Sequence, residues 1–457
     1  MAARRRSAVR SRDPGAVARA RRGILVVAIP VLVIKLVLAA TTFGTNDIVH
    51  WGDFLLGVKQ AGPVGIYALT FPANNSFYNH PPLVGYLLSF INLVQDAGVP
   101  YRFTLRALSS LADVGTALVV FELLRRRISP ARAGAAGILV AISPISVMVS
   151  GFHGNTDPIF VFLVFLAVLL LVDLQRPGLG GVAIALAVGV KIVPMVVIPV
   201  LAIYVLRRDR REFLRWAAGF ALAFAVTWGP ALLLQFHAVL ADVIGYRGVG
   251  YSPWGIEQIG HWLGDPSWVA SYAGRGRALV VVICAAVPAI AVWRRPDVVV
   301  VAVGWSLIGF LALAPTWGAQ YMVWPVAACC VIGLSWGAAY NLAGGVVLFM
   351  VYDRWSGGLP WNRARATYVV PLHELVAMQV PWLVLVVVLI RATIKTFLPS
   401  SGGFSVERAR AVPVGRNQKS TEPVSPGTNR GGVTASTAGG GPEISGTREE
   451  SNDSEEQ

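Results

Sequence analysis

Long apolar runs, separated by short basic or polar stretches, fill most of this chain. They fall near 24–43, 105–124, 131–150, 158–174, 213–234, 277–293, 298–314, 321–337, 339–352 and 374–390. Two shorter runs, 179–190 and 194–206, flank Lys191-Ile192-Val193-Pro194. A helix rises 1.5 Å per residue, so a run of roughly 17 to 22 apolar residues crosses ~30 Å of hydrocarbon. The pattern predicts an all-α polytopic membrane protein with about 12 transmembrane helices. The run 83–94 is too short to span and predicts an interfacial helix within a first external loop, 44–104.

Charge orients these runs. The first 22 residues hold eight arginines and one aspartate, and Arg125-Arg126-Arg127, Arg207–Arg211 and Arg294-Arg295 sit between apolar stretches. Short basic loops beside membrane helices mark the cytoplasmic side. On that rule both termini lie inside, and the loops 44–104, 236–276 and 353–373 lie outside. A net charge of +15 raises the question of nucleic acid, but its placement in membrane-flanking clusters argues against such a partner. The N-terminus is arginine-rich and lacks a cleavage-site pattern, so helix one is expected to remain as an anchor.

Composition agrees. Apolar residues make up 55% of the 457 and charged residues 14%, against about a quarter charged in soluble domains. Cys284, Cys329 and Cys330 all fall in apolar runs and read as small core residues. Residues 1–23 form a basic cytoplasmic segment and 24–391 a transmembrane domain. Residues 392–457, rich in Gly, Ser, Thr and Pro and ending in acids, have too little apolar surface to fold and read as a disordered cytoplasmic tail.

On this topology the unusual polar residues collect on the external side: Asp47, His50, Asp53, His80, His153, Asp157, Lys191, Arg247, Glu257, Gln320 and Tyr321. Loops gather charge in any membrane protein, because a charge at mid-membrane costs ~2.5–3.5 kcal/mol. That accounts for many of these residues singly. It does not account for Lys191 between two very apolar half-spans, or for His153 and Asp157 in a tight turn between apolar helices. Broken helices at membrane depth are tolerated where they line a cavity.

The order of these features resembles the GT-C-fold glycosyltransferases, membrane enzymes that use polyprenyl-phosphate sugars. The matching segments are Asp47 after the first helix, His80-Pro81-Pro82-Leu83 opening a helix in the same loop, and Arg106-Ala107-Leu108-Ser109 at the next span. The pair of short helices broken at Lys191-Ile192-Val193-Pro194 also matches. GFHGNTDPIFV and APTWGAQYMVWPVA are similar to the branch of bacterial polyprenyl-phosphate-mannose-dependent mannosyltransferases. The resemblance covers about residues 24–391.

That resemblance implies transfer of a monosaccharide, mannose first, to an acceptor hydroxyl on a glycolipid, lipoglycan or glycan. It places this at the external face of the plasma membrane, with inversion and with no cofactor. It implies Asp47 as the base; the same residue, following Thr45-Asn46, is also placed to cap a helix. Asp53 is its rival. Fixed cations stabilise a leaving phosphate, and Lys191, Arg247 and His80 are the candidates; a snorkelling lysine or an exposed loop arginine fits as well. His153, Asp157, Gln320 and Tyr321 are candidate substrate contacts. Trp51, Tyr246, Tyr251, Trp254 and Trp262 suit either sugar stacking or an interfacial aromatic belt. No metal-binding spacing occurs in the external loops. A transporter or flippase also uses broken helices and membrane-depth charge, although no internal repeat relates the two halves.

Overall fold

The computed structural model describes residues 13–71, 76–246, 252–367 and 369–398, all within one compact unit, Met1–Phe404. The architecture is nearly all helical, with one two-stranded hairpin pairing Thr70–Phe71 with Ser76–Phe77. Among the described residues, eight helices are long and apolar enough to cross a membrane. Shorter apolar helices at Pro177–Val190 and Ala319–Ile332 pack among them. The predicted all-α membrane fold is therefore observed, while several boundaries move.

Helix α1 runs Pro14–Thr41, starting ten residues before the expected apolar run. Asp13 caps it, accepting from Gly15 N at 2.9 Å, and Pro14 supplies a preformed first turn. Helix α2, Asn46–Gly65, follows a sharp turn at Gly44. Gly44 has φ +102°, and a Cβ there would press on the Phe152 carbonyl oxygen at 2.8 Å. Helix α3, Pro82–Asp96, packs on α2. Helix α4, Tyr101–Leu124, descends beside α1.

Helix α5, Pro130–Ala141, continues through Pro144–Ser146 into a π-helical turn, Val147–His153. Helix α6 starts at Asp157, α7 spans Pro177–Val190, and α8 spans Ile198–Arg208. The region read as a large loop, 236–276, is largely helical: Val239–Ile244 is a π-turn, Gly255–Trp262 a short helix, and a span runs from Pro266 to Arg294. Its Gly, Pro and Asp residues cap short helices. The break expected near 337 lies at Gly333, between Trp324–Ile332 and α9, Leu334–Ser356. The last helix, α10, runs Leu372–Phe397, past its expected end near 390.

Two buried polar clusters fix the helix ends around the site. Arg106, fully buried, donates to Ala39 O at 2.8 Å, Thr42 O at 2.9 Å, Thr42 Oγ1 at 3.0 Å and Arg102 O at 2.8 Å. It thereby satisfies the carbonyls left open at the end of α1. Deeper in the bundle, Lys35 pairs with Asp113 at 2.7 Å, and Ser150 donates to the same carboxylate oxygen. Buried charges persist only when paired and hydrogen-bonded, and this pair joins α1, α4 and the π-turn. Across the top, Gly44 N donates to Asn362 O and Ala364 N to Gly44 O, strapping the turn after α1 to the loop before α10.

Candidate active site

The Asp47 end of the bundle encloses a cavity of about 720 Å³, within the usual size of a ligand site. Its lining draws on Asp47 and His50 from α2, His80 before α3, His153 and Asn155 from the α5–α6 turn, and Lys191 from the α7–α8 break. Gln320, Tyr321 and Trp317 add a further wall.

Thr45, not Asp47, is the cap of α2: its hydroxyl accepts from Asp47 N at 3.3 Å. Asp47 is thus left free of capping in the first turn. Its Oδ2 accepts from His153 Nε2 at 3.0 Å and from Asn155 Nδ2 at 3.1 Å. The side chain keeps 32% of its surface exposed, whereas His153 keeps 4%. His153 is itself held through Nδ1, 2.8 Å from the Tyr352 hydroxyl. When the imidazole is neutral with Nε2–H donating to Asp47, Nδ1 accepts from Tyr352. The carboxylate is therefore the member of this chain that meets the cavity, and the histidine orients it.

Burial alone would raise the Asp47 pKa, but the neighbouring His153 charge and hydrogen bond, His50 and Asn155 outweigh it and bring it to about 2. His80 goes the same way for different reasons: burial, then the Lys191 charge, lower it to about 3. It is a neutral ring near pH 7, stacked on Trp51 with centroids 4.5 Å apart. Trp51 Nε1 donates to Gly154 O at 3.1 Å, and Thr45 Oγ1 to His153 O at 3.0 Å, so α2 is bolted to the His153 turn. Gly154 makes that fit possible: at φ +81°, any Cβ would collide with Ile48.

Lys191 is extended, φ −147° and ψ 146°, between the end of α7 and a 3₁₀ turn at Val193–Val197. Pro194 explains the break, since it withholds a backbone donor. The ammonium lies 3.0 Å from Asp157 Oδ1, 15% exposed, and 5.3 Å over the Tyr321 ring.

Asp157 departs from expectation. It is fully buried, absent from the cavity lining, and bound to Lys191 and to Trp324 Nε1 at 3.0 Å. It holds the lysine in place; a charge at membrane depth reveals a need for a partner but not which side faces the cavity. Asp53 does not line the cavity either, because it lies on the face of α2 turned towards Tyr101. Gln320, Tyr321, His80, His153 and Lys191 are brought together as expected. Arg247 and Tyr251 lie outside the described residues. Trp51 and Tyr246 line the cavity, Trp254 is core, and Trp262 is exposed.

Sequence reasoning missed Tyr352, Arg354, Trp355 and Asp242. Tyr352 ends an apolar run, and Arg354 and Trp355 open the expected loop 353–373, where they carry no pattern of their own. Asp242 lines the cavity with its carboxyl pushed up by burial. Arg354 also lines it, paired with Glu374 at 2.7 Å. Among the described residues no group of three His, Cys, Asp or Glu side chains is disposed to hold a metal ion.

Residues 77–315 match the model of Glycosyltransferase family 87. The chain belongs to that family. It is a membrane glycosyltransferase, and the resemblance to GT-C enzymes stands with this assignment. The matched segment contains His80, His153, Lys191 and Asp242, while Asp47 precedes it and Tyr321 and Tyr352 follow it. No curated protein matches the sequence. Among solved structures, the archaeal oligosaccharyltransferase AglB from Archaeoglobus fulgidus, in complex with an inhibitory peptide and a dolichol-phosphate, is similar at 14% identity and a TM-score of 0.39. The similarity covers 81% of this chain and 56% of that one, so the chain spans little more than half of AglB's length.

Proposed function

We propose that this family 87 enzyme transfers one sugar, mannose in our reading, from a polyprenyl phosphate to an acceptor hydroxyl on a glycolipid, lipoglycan or glycan. The cavity opens at the external face of the plasma membrane. The observation that carries the reading is the Asp47 carboxylate, with Oδ2 held by two donors and its remaining surface turned to a cavity that Lys191 also lines.

In this mechanism the acceptor oxygen attacks the anomeric carbon from the face opposite the phosphate, inverting it. The carbon–oxygen bond to the polyprenyl phosphate breaks, and its electron pair leaves on the phosphate. The acceptor proton passes to the exposed carboxylate oxygen of Asp47. A carboxylate with a pKa near 2 is a weak base, so the transfer is late, once the attacking hydroxyl has become acidic. Lys191 offsets the charge that develops on the leaving phosphate, with Asp157 and Tyr321 fixing its position. His80, neutral, offers a hydrogen bond to phosphate or sugar. Gln320 and Tyr321 contact the donor sugar.

The test is transfer from labelled polyprenyl-phosphate mannose in membranes holding wild type or Asp47→Asn at equal expression. Loss of transfer in the variant supports this assignment. Full transfer in the variant removes Asp47 as base, and no transfer by wild type from mannose, arabinose or glucose donors removes the donor class.

A further inference from the structure

The turn that delivers His153 is wound in an uncommon register. Val147–His153 is a π-helix, closed by Gly154 N donating to Val149 O at 3.2 Å, five residues back. Such turns are rare and are found mostly at functional sites. Relative to an α-helix this one holds an extra residue, which at 3.6 residues per turn is a rotation of about 100°. A turn wound as α would carry the His153 ring round the axis and away from Asp47.

At its outer end the turn is held by its carbonyls. Arg106 Nη1 lies 3.4 Å from both Gly151 O and Phe152 O, Thr45 Oγ1 donates to His153 O, and Trp51 Nε1 donates to Gly154 O. Those bonds fix where the turn ends but not its register, because a backbone carbonyl is the same acceptor whichever residue carries it. Register needs a side chain. Ser150 supplies one: fully buried, it donates to Asp113 Oδ2, which also accepts from Lys35 Nζ at 2.7 Å. Gly151, the next residue, lies so close to α1 that an added Cβ would stand 3.0 Å from the Lys35 Cα. A slip of one residue would bring Ser150 or Phe152 to that contact, and Val149 or Gly151 to the Asp113 carboxylate.

Stability does not account for the ion pair. Both partners lose hydration on burial, and apolar residues of similar volume often hold helices together equally well. What Lys35 and Asp113 provide that Leu or Met would not is a directed acceptor at one height on the bundle. Lys35 fixes the carboxylate, and the carboxylate receives Ser150.

We infer that Lys35, Asp113 and Ser150 are positioning residues for Asp47: from deeper in the bundle they lock the π register that presents His153 Nε2 to its carboxylate. This rests on the proposed reading of Asp47 as the base. Asp47 also faces His50, His80, Tyr321 and Tyr352, but none of these four is carried by the turn that Ser150 anchors.

Nitrogen NMR of the full-length protein, isotopically labelled at its six histidines, tests the inference at alkaline pH, with His153→Leu identifying the signal. Wild type should show one neutral His153 tautomer, protonated on Nε2. Ser150→Ala, which removes a single hydroxyl, should show a mixture of both tautomers. Its transfer from polyprenyl-phosphate mannose should fall roughly tenfold to a hundredfold, with the acid limb of kcat/KM displaced to higher pH. Added to His153→Leu, the same substitution should displace the limb no further. Lys35→Met/Asp113→Leu, which strands no charge, should reproduce Ser150→Ala; the single variant covers the case in which the double one fails to fold. A His153 signal in Ser150→Ala identical to wild type overturns the inference, and so does a further displacement in the His153→Leu background. A changed ring signal with unchanged transfer upholds the positioning of His153 and removes Asp47 as base, so the two readings fail separately.

Discussion

Lys191 Nζ and Asp157 Oδ1 lie 3.0 Å apart, joining the end of α7 to the start of α6, with the carboxylate fully buried and the ammonium 15% exposed. The pair thus has a buried member that holds and a member that faces the cavity. Replacing Lys191 with Met strands the Asp157 charge, which costs about 3–5 kcal/mol. Lys191→Met should lower the thermal midpoint strongly and transfer by about 10²–10³. Adding Asp157→Asn should restore much of the stability and none of the transfer, measured by detergent-solubilised unfolding and donor-dependent rates. Recovery of transfer in the double variant would falsify the assignment of Lys191 to the phosphate.

Asp47→Asn should reduce transfer by about 10²–10⁴, the contribution of a positioned base, while leaving the fold intact. The Thr45 cap and the Trp51 and Thr45 bonds to the His153 turn do not involve the carboxylate. A thermal midpoint that falls along with activity points to a structural role instead.

His153→Leu removes the strongest influence that keeps Asp47 ionised, leaving burial to raise its pKa from about 2. The acid limb of kcat/KM should therefore move to higher pH. Tyr352→Phe, which loosens His153 without removing it, should move the limb less. A pH profile unchanged in His153→Leu rules out this influence.

His80 gives a stability signature. Its folded pKa, about 3, lies below the ordinary 6.5, so below pH 6.5 the unfolded chain gains a proton that the folded chain refuses. Stability should fall from pH 6.5 towards 3. Asp47 works at lower pH: its stabilisation is present above 3.8 and is lost only as pH falls through about 2. Between pH 6.5 and 4.5 the thermal midpoint should therefore decline more steeply in wild type than in His80→Gln.

Arg106→Ala should abolish folding or lower the thermal midpoint severely, because the carbonyls of Ala39 and Thr42 lose their buried donor; lost hydrogen bonds to a charged group cost about 1.5–3 kcal/mol each. Expression with normal stability would show that water replaces the guanidinium.

The sequence exposed the bundle and much of the site because both follow from incompatibility with lipid. Apolar runs marked the spans, and Lys191 beside Pro194 marked the helix break. His153 and Asp157 were visible in a turn too polar for its neighbours. Pairing was not legible: nothing along the chain says that Asp157 turns inward to Lys191, or that Asp47 turns to His153. Tyr352 was hidden because a tyrosine at a span end is what interfacial belts also contain. The helices within 239–276 were hidden by turn-forming residues that act there as caps.

The strap between Gly44 and the 362–364 segment carries a consequence for synthesis. Asp47 emerges from the ribosome among the first fifty residues, but the segment that clamps the turn before it, and Tyr352 that steadies its histidine, arrive some three hundred residues later. The surroundings of the Asp47 carboxylate are thus completed late although the residue itself is made early. A chain halted before residue 352 holds Asp47 with neither the clamp nor the tyrosine, and an ordered Asp47 becomes a certificate that the chain has been made nearly to its last helix.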